Sequence, residues 1–199
     1  GEWSGSKFDD GMTNEQESVD DPPPPAQADD KDWTWVLDRQ CPECGAEVGG
    51  LSLAGVADAN RINARGWTEV LRRDPDWLRT RPAPDVWSPL EYACHVRDVF
   101  RLFKVRLDAM LTEDDPLFAN WNPNETAEAE RYDLADPETV SDELSEAAET
   151  LAAAFGRLTD DQGQRPGRRS DGAAFTVLSF ARYEIHDPVH HLWDVNQSV

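Results

Sequence analysis

His186 and His190 stand four residues apart in the segment Arg182-Tyr-Glu-Ile-His186-Asp-Pro188-Val-His190-His191-Leu-Trp-Asp-Val195. The segment is patterned as a helix, and helical residues four apart share a face, so both imidazoles are expected to reach one point. Two neutral imidazoles converging at ~2.0–2.1 Å on a divalent cation are half of a metal site. Pro188 lies between them. In a helix interior proline removes a hydrogen bond and crowds the carbonyl four residues back, here that of Glu184, at a cost of ~3 kcal/mol. The sequence therefore predicts a kink that aims the two rings. His95 is the histidine outside this segment, and helical bundles build metal sites from facing helices. Three imidazoles from two helices leave a coordination position open, as catalytic zinc sites do. His191 lies ~100° around the helix from His190 and is expected at the surface. Asp187, Glu184 and Asp194 are close enough in sequence to receive an outer ring N–H, and Asp187 is also a candidate catalytic proton acceptor.

A second constellation is Cys41-Pro-Glu-Cys44-Gly45. The C-x2-C-G turn resembles a zinc knuckle, but a structural zinc site takes four ligands and two are visible here. Cys94, His191 or a second copy of the chain in a homodimer are the spare sources. Alternatively Cys41 and Cys44 are catalytic thiols, cycling between dithiol and disulfide or approaching the histidine-bound metal. Cys94, beside His95, reads as a small core residue.

The elements that must position these groups are helical. Leu53 to Arg73 carries Val56, Ala59, Ile62, Trp67 and Leu71 near the helical period and stops before Asp74-Pro75. Ser88-Pro89-Leu90-Glu91 is a capping box with proline at the first helical position, so a second helix starts at Pro89. Its apolar stripe runs through Val96, Val99, Phe100, Phe103, Leu107 and Met110 to Leu111. A third helix follows the Asp136-Pro137 cap and ends near Asp160; its acidic face reads as solvated surface. The fourth begins near Thr176 and carries the histidine pair. Four such helices, with no convincing alternating strand, predict an all-α four-helix bundle. The linker 112–135 is long for a bundle, where about 2–8 residues are usual. Its Trp121, Asn122, Asn124, Arg131 and Tyr132 suit a lid over a substrate pocket. Arg165, Arg168 and Arg169 form a dense basic cluster; Arg169 is a candidate for a substrate carboxylate, with pairing to nearby acids such as Asp171 as the alternative.

Composition narrows the function. The chain has 199 residues, 19 Lys+Arg against 40 Asp+Glu and a formal charge of -21, so phosphate backbones and anionic membranes are repelled. No nucleic-acid or membrane partner is expected. No apolar run approaches the roughly 20 residues of a membrane span, and no signal segment opens the sequence, which predicts a cytoplasmic protein. Residues 1–32 are acidic and proline-rich and are predicted to be a disordered tail, in part an expression scar before Met12. Residues 33–52 form a short extension bearing the C-x2-C turn, and 53–199 the bundle.

Trp87-Ser-Pro-Leu-Glu-Tyr-Ala-Cys-His95 with Val96 and Asp98, followed by His186-Asp-Pro-Val-His190, resembles the DinB-like superfamily of metal-binding four-helix bundles. That group includes mycothiol-dependent maleylpyruvate isomerases and the mycothiol and bacillithiol S-transferases. The resemblance covers about Trp33 to Val195. It implies a DinB-like fold and His95, His186 and His190 as ligands of a divalent metal, Zn2+ first, with Ni2+ or Fe2+ as alternatives. It also implies a low-molecular-weight thiol as cosubstrate, activated as a metal-bound thiolate in a transferase or isomerase, since zinc deprotonates a coordinating thiol outright. The competing expectations are a hydrolase using metal-bound water and a non-enzymatic metal-binding or redox-sensing protein acting through Cys41 and Cys44.

Overall fold

The computed structural model describes residues 21–26 and 32–197. Its long helices are α1 (Leu53–Val70), α3 (Pro89–Thr112), α5 (Pro137–Gly156) and α7 (Val177–Gln197), with short helices α2 (Pro75–Arg79), α4 (Pro123–Ala129) and α6 (Asp160–Gly163) between them. Each start is set by side-chain chemistry. The Ser52 hydroxyl accepts from Gly55 N, and Asp136 accepts from Thr139 N ahead of Pro137. Ser88 and Glu91 complete the reciprocal capping box of α3. Such a cap contributes ~1 kcal/mol.

α1 packs on α5 and α7, and α3 packs on the same two, so α1 lies diagonally across the bundle from α3 and α5 from α7. Trp67, Phe100, Leu151, Phe155, Phe180 and Ile185 fill the centre and are fully buried. Gly66 lets α1 and α7 approach closely, since a Cβ there would meet the Leu192 side chain at 2.6 Å. α7 runs unbroken through Pro188, whose buried carbonyl accepts Asn63 Nδ2 at 2.9 Å and Trp67 Nε1 at 3.4 Å from α1. No helix among the described residues is long and apolar enough to cross a membrane.

Three features depart from the sequence reading. Residues 166–168 and 174–176 pair as a short antiparallel hairpin, β1 and β2, which three-residue strands gave no alternation to announce. The 112–135 linker carries the helix α4 and a 3-10 turn, Tyr132–Leu134. Most of the expected disordered tail lies outside the described residues, but Pro24 O accepts Arg81 Nη1 at 2.6 Å, which lays the Pro22–Ala26 stretch against the body.

Candidate metal centre and cavity

α7 carries its donors in two stripes. Residues 186 and 190 form one and residues 187 and 191 the other, offset by ~100° because each helical residue turns by that amount. The stripes face different neighbours.

The 187/191 stripe faces α3. His95 Nε2 lies 3.3 Å from Asp187 Oδ1, and His191 Nε2 lies 3.4 Å from the same oxygen. Asp187 Oδ1 is buried and makes no hydrogen bond. Three donors held ~2.05 Å from one ion at tetrahedral angles sit about 3.3 Å apart, so the spacing found is that of a ligand set. Burial alone would push the Asp187 carboxyl up, but the imidazoles of His191 and His95 hold it well below the ordinary carboxylate value. The residues fit a divalent cation, and with three protein donors they leave a position open.

The 186/190 stripe faces the segment ahead of α1. Cys41, Cys44, His186 and His190 bring four donor atoms within 4.8 Å of one another, and His95, Asp187 and His191 bring three within the same distance in their own group. Cys41 Sγ is 3.9 Å from His190 Nδ1, and Glu43 Oε2 is 3.7 Å from His190 Nε2 on the ring's other side. Burial pushes the His186 imidazole down to about 4, with His190 adding to the effect, so it is neutral at pH 7.

This partition differs from the expected grouping. His95 is not gathered with His186 and His190 but with Asp187 and His191, because α7 turns its 187/191 stripe, not its 186/190 stripe, toward α3. His191, expected at the surface, is buried at 6% exposure under Tyr92, whose ring lies 5.0 Å away. Asp187, expected from sequence to receive an outer ring N–H or a catalytic proton, stands between the imidazoles of His95 and His191. Cys41 and Cys44, considered as reacting thiols, stand with His186 and His190. Glu184 is fully buried and its carboxyl oxygens hydrogen-bond to neither ring, while burial raises the carboxyl well above its ordinary value.

A cavity of about 450 Å³ opens over these groups. Trp121 stacks on His95 at 5.5 Å and 8°, Trp87 lies 5.1 Å from the same ring, and Trp33 covers His186 and His190 at 4.9 Å each. Of the expected lid and basic residues, Trp121, Asn122 and Arg169 do line the cavity. Arg131 and Tyr132 do not. Arg131 pairs with Asp133 at 2.8 Å, and Tyr132 is buried with its hydroxyl donating to Asp98. The Asn122 side chain also accepts the first amides of α4, and Arg169 pairs with Asp171 at 2.6 Å. Arg106, which the sequence reading passed over, lines the cavity too. It donates to Ala119 O at 3.1 Å, lies 5.2 Å from the Phe118 ring, and has no carboxylate partner among the described residues. The missed pair Asp187/His191 was visible as a second i, i+4 spacing, one residue out of register with the first.

The sequence profile of the DinB superfamily matches residues 57–195. The chain belongs to the DinB superfamily. No curated protein sequence matches it. Among solved structures it is similar to YfiT from Bacillus subtilis, described as a probable metal-dependent hydrolase with an unusual four-helix bundle topology. The TM-score is 0.63 and the identity 18%, over 72% of this chain and 85% of that one, which is a likeness of fold. The DinB region begins at residue 57, so the Cys41/Cys44 turn lies outside it.

Proposed function

We propose that the protein is a metal-dependent enzyme in which His95, Asp187 and His191 hold a divalent cation at the floor of the cavity, acting on a small molecule with an anionic end. The observation that carries this reading is Asp187 Oδ1, buried without a hydrogen bond and equidistant from two imidazole nitrogens. Neither imidazole reaches that oxygen in good hydrogen-bond geometry, and a cation shared by the three groups would satisfy it. When bound, the cation would acidify a nucleophile and polarise a substrate oxygen.

The chain's own residues do the rest. Trp87 and Trp121 pack against His95 and fix its plane. Arg106 offers a guanidinium fork without a carboxylate partner, suited to a substrate carboxylate or phosphate. The tryptophans exclude water from the reacting end.

Hydrolysis is the first reading. Two imidazoles and a carboxylate are a donor set of hydrolytic zinc sites, and YfiT, with the same fold, is described as a probable metal-dependent hydrolase. The thiol-dependent transferase or isomerase expected from the sequence is the second, favoured by a cavity of about 450 Å³, room for a thiol beside a second substrate. The test is a panel of small anionic esters, amides and electrophiles, assayed with zinc-loaded protein in the presence and absence of a low-molecular-weight thiol, beside Asp187→Asn. Turnover without thiol that Asp187→Asn abolishes supports hydrolysis. Turnover that appears only with thiol overturns it in favour of transfer, and turnover unchanged in Asp187→Asn overturns the metal assignment.

A further inference from the structure

We propose that Cys41, Cys44, His186 and His190 form a second metal site, closed and structural, that takes Zn2+ and fastens the 33–52 segment onto α7. The donor set is two sulfurs and two imidazoles, the composition of tetrahedral structural zinc. All four donor atoms lie within 4.8 Å of one another. With Zn–S at ~2.3 Å and Zn–N at ~2.0–2.1 Å, neighbouring donors in a tetrahedron are about 3.4–3.8 Å apart, and Cys41 Sγ and His190 Nδ1 are at 3.9 Å.

Two independent observations point to a ligand rather than to a packed core. His186 is 2% exposed, and its Nε2 is buried with no hydrogen-bond partner. The C-x2-C segment is also folded as a knuckle: Gly45 N donates to Cys41 O at 2.9 Å, Cys41 N donates to Ala46 O at 3.0 Å, and Gly45 adopts φ 78°, which only glycine takes without strain. Glu43 Oε2 faces His190 Nε2, placed to receive its outer N–H and turn Nδ1 toward the sulfurs.

Binding releases the two thiol protons to solvent, so the two thiolates balance the charge of the ion. Four protein donors leave no open position, which assigns this site to structure and leaves chemistry to the other cluster. Cys41 and His190 are 149 residues apart, so the ion closes a loop that spans most of the chain. Its local effect is on Trp33, whose ring rests on both histidines and walls the cavity. The site does not depend on the proposed function, and the two fail separately.

The experiment uses the full chain loaded with Zn2+ and, in parallel, with Co2+. Elemental analysis should give two equivalents of metal, and the Co2+ form should show a thiolate-to-cobalt charge-transfer band. Cys41→Ser/Cys44→Ser should lose one equivalent and the band. His191→Ala should lose one equivalent and keep the band. Alkylation of Cys41 and Cys44 by iodoacetamide should slow on the order of tenfold in the metal-loaded protein and recover with chelator. Trypsin should cut after Arg39 faster in Cys41→Ser/Cys44→Ser than in His191→Ala. Should the serine variant fail to fold, the wild-type Co2+ spectrum and the alkylation rates decide alone. A spectrum without a thiolate band, or thiols alkylated equally fast with and without metal, overturns the site.

Discussion

Arg81 and Glu91 form a bidentate pair, with Nε–Oε1 and Nη2–Oε2 both at 2.7 Å and side-chain exposures of 13% and 5%. Removing one partner of a buried pair leaves the other charge uncompensated, which costs about 3–5 kcal/mol. The two halves are not equivalent. Arg81→Ala strands the Glu91 carboxylate with Ser88 N as its remaining hydrogen-bond donor, at 3.1 Å. Glu91→Gln leaves the guanidinium its bonds to Pro24 O and Pro84 O at 2.6 and 2.7 Å, and keeps an oxygen for Ser88 N. Arg81→Ala is therefore expected to cost about 3–4 kcal/mol and Glu91→Gln about 2 kcal/mol. In a protein of this size each kcal/mol lowers Tm by roughly 2–4 °C, so the alanine variant should melt on the order of 10 °C early. Calorimetry of both variants and of Arg81→Met/Glu91→Leu measures this, and the double variant should recover part of the loss. Glu91 also stands one turn before His95 on α3, so Arg81→Ala should weaken the metal binding proposed for the His95 cluster. Single variants that each melt within 2 °C of wild type, with no coupling in the cycle, would refute the reasoning.

Arg106→Met should raise KM for an anionic substrate at least tenfold with kcat little changed, because the guanidinium acts on binding; an unchanged KM would remove Arg106 from substrate recognition. Burial and the bond to Asp98 push the Tyr132 hydroxyl above its ordinary value of 10, so the unfolded chain loses that proton first. Stability then falls as pH rises above ~10, by up to about 1.4 kcal/mol per unit, and urea melts of Tyr132→Phe should lose this share of the alkaline slope. Asn63→Ala leaves the Pro188 carbonyl with the longer Trp67 bond as its contact from α1, and denaturant melts should report a loss of about 1–2 kcal/mol. Phe155→Ala, in the centre of the bundle, should cost about 3–5 kcal/mol in the same assay.

The four long helices were legible from their apolar period, and three of them also from a boundary signal: Ser88 with Glu91 and Asp136 with Pro137 mark starts, and Asp74-Pro75 marks a stop. The DinB resemblance drawn from the α3 and α7 motifs agrees with the family profile. What the sequence could not give was the rotation of α7. Two interleaved pairs, 186/190 and 187/191, have the same spacing, and the choice of the one that faces His95 depends on packing against α1 through Leu192 and Pro188. The position of the Cys41/Cys44 turn was equally hidden, since nothing local to it says that it folds back on a helix 149 residues away. In the lid, Trp121 was found by its chemistry, while Arg131 and Tyr132 were drawn off by Asp133 and Asp98, partners that spacing alone does not rank above a cavity.

The two donor stripes on α7 give that helix an angular tolerance. Its side-chain tips lie ~5–6 Å from the axis, so a twist of about 10° carries every donor roughly 1 Å sideways. Stripes set 100° apart are displaced in different directions by one such twist, and a rotation that favoured one cluster would pull the other from its partners. With both proposed ions bound, His95 on one side and the Cys41/Cys44 turn on the other would hold α7 like a shaft keyed at two points, adding to the core packing that already orients it.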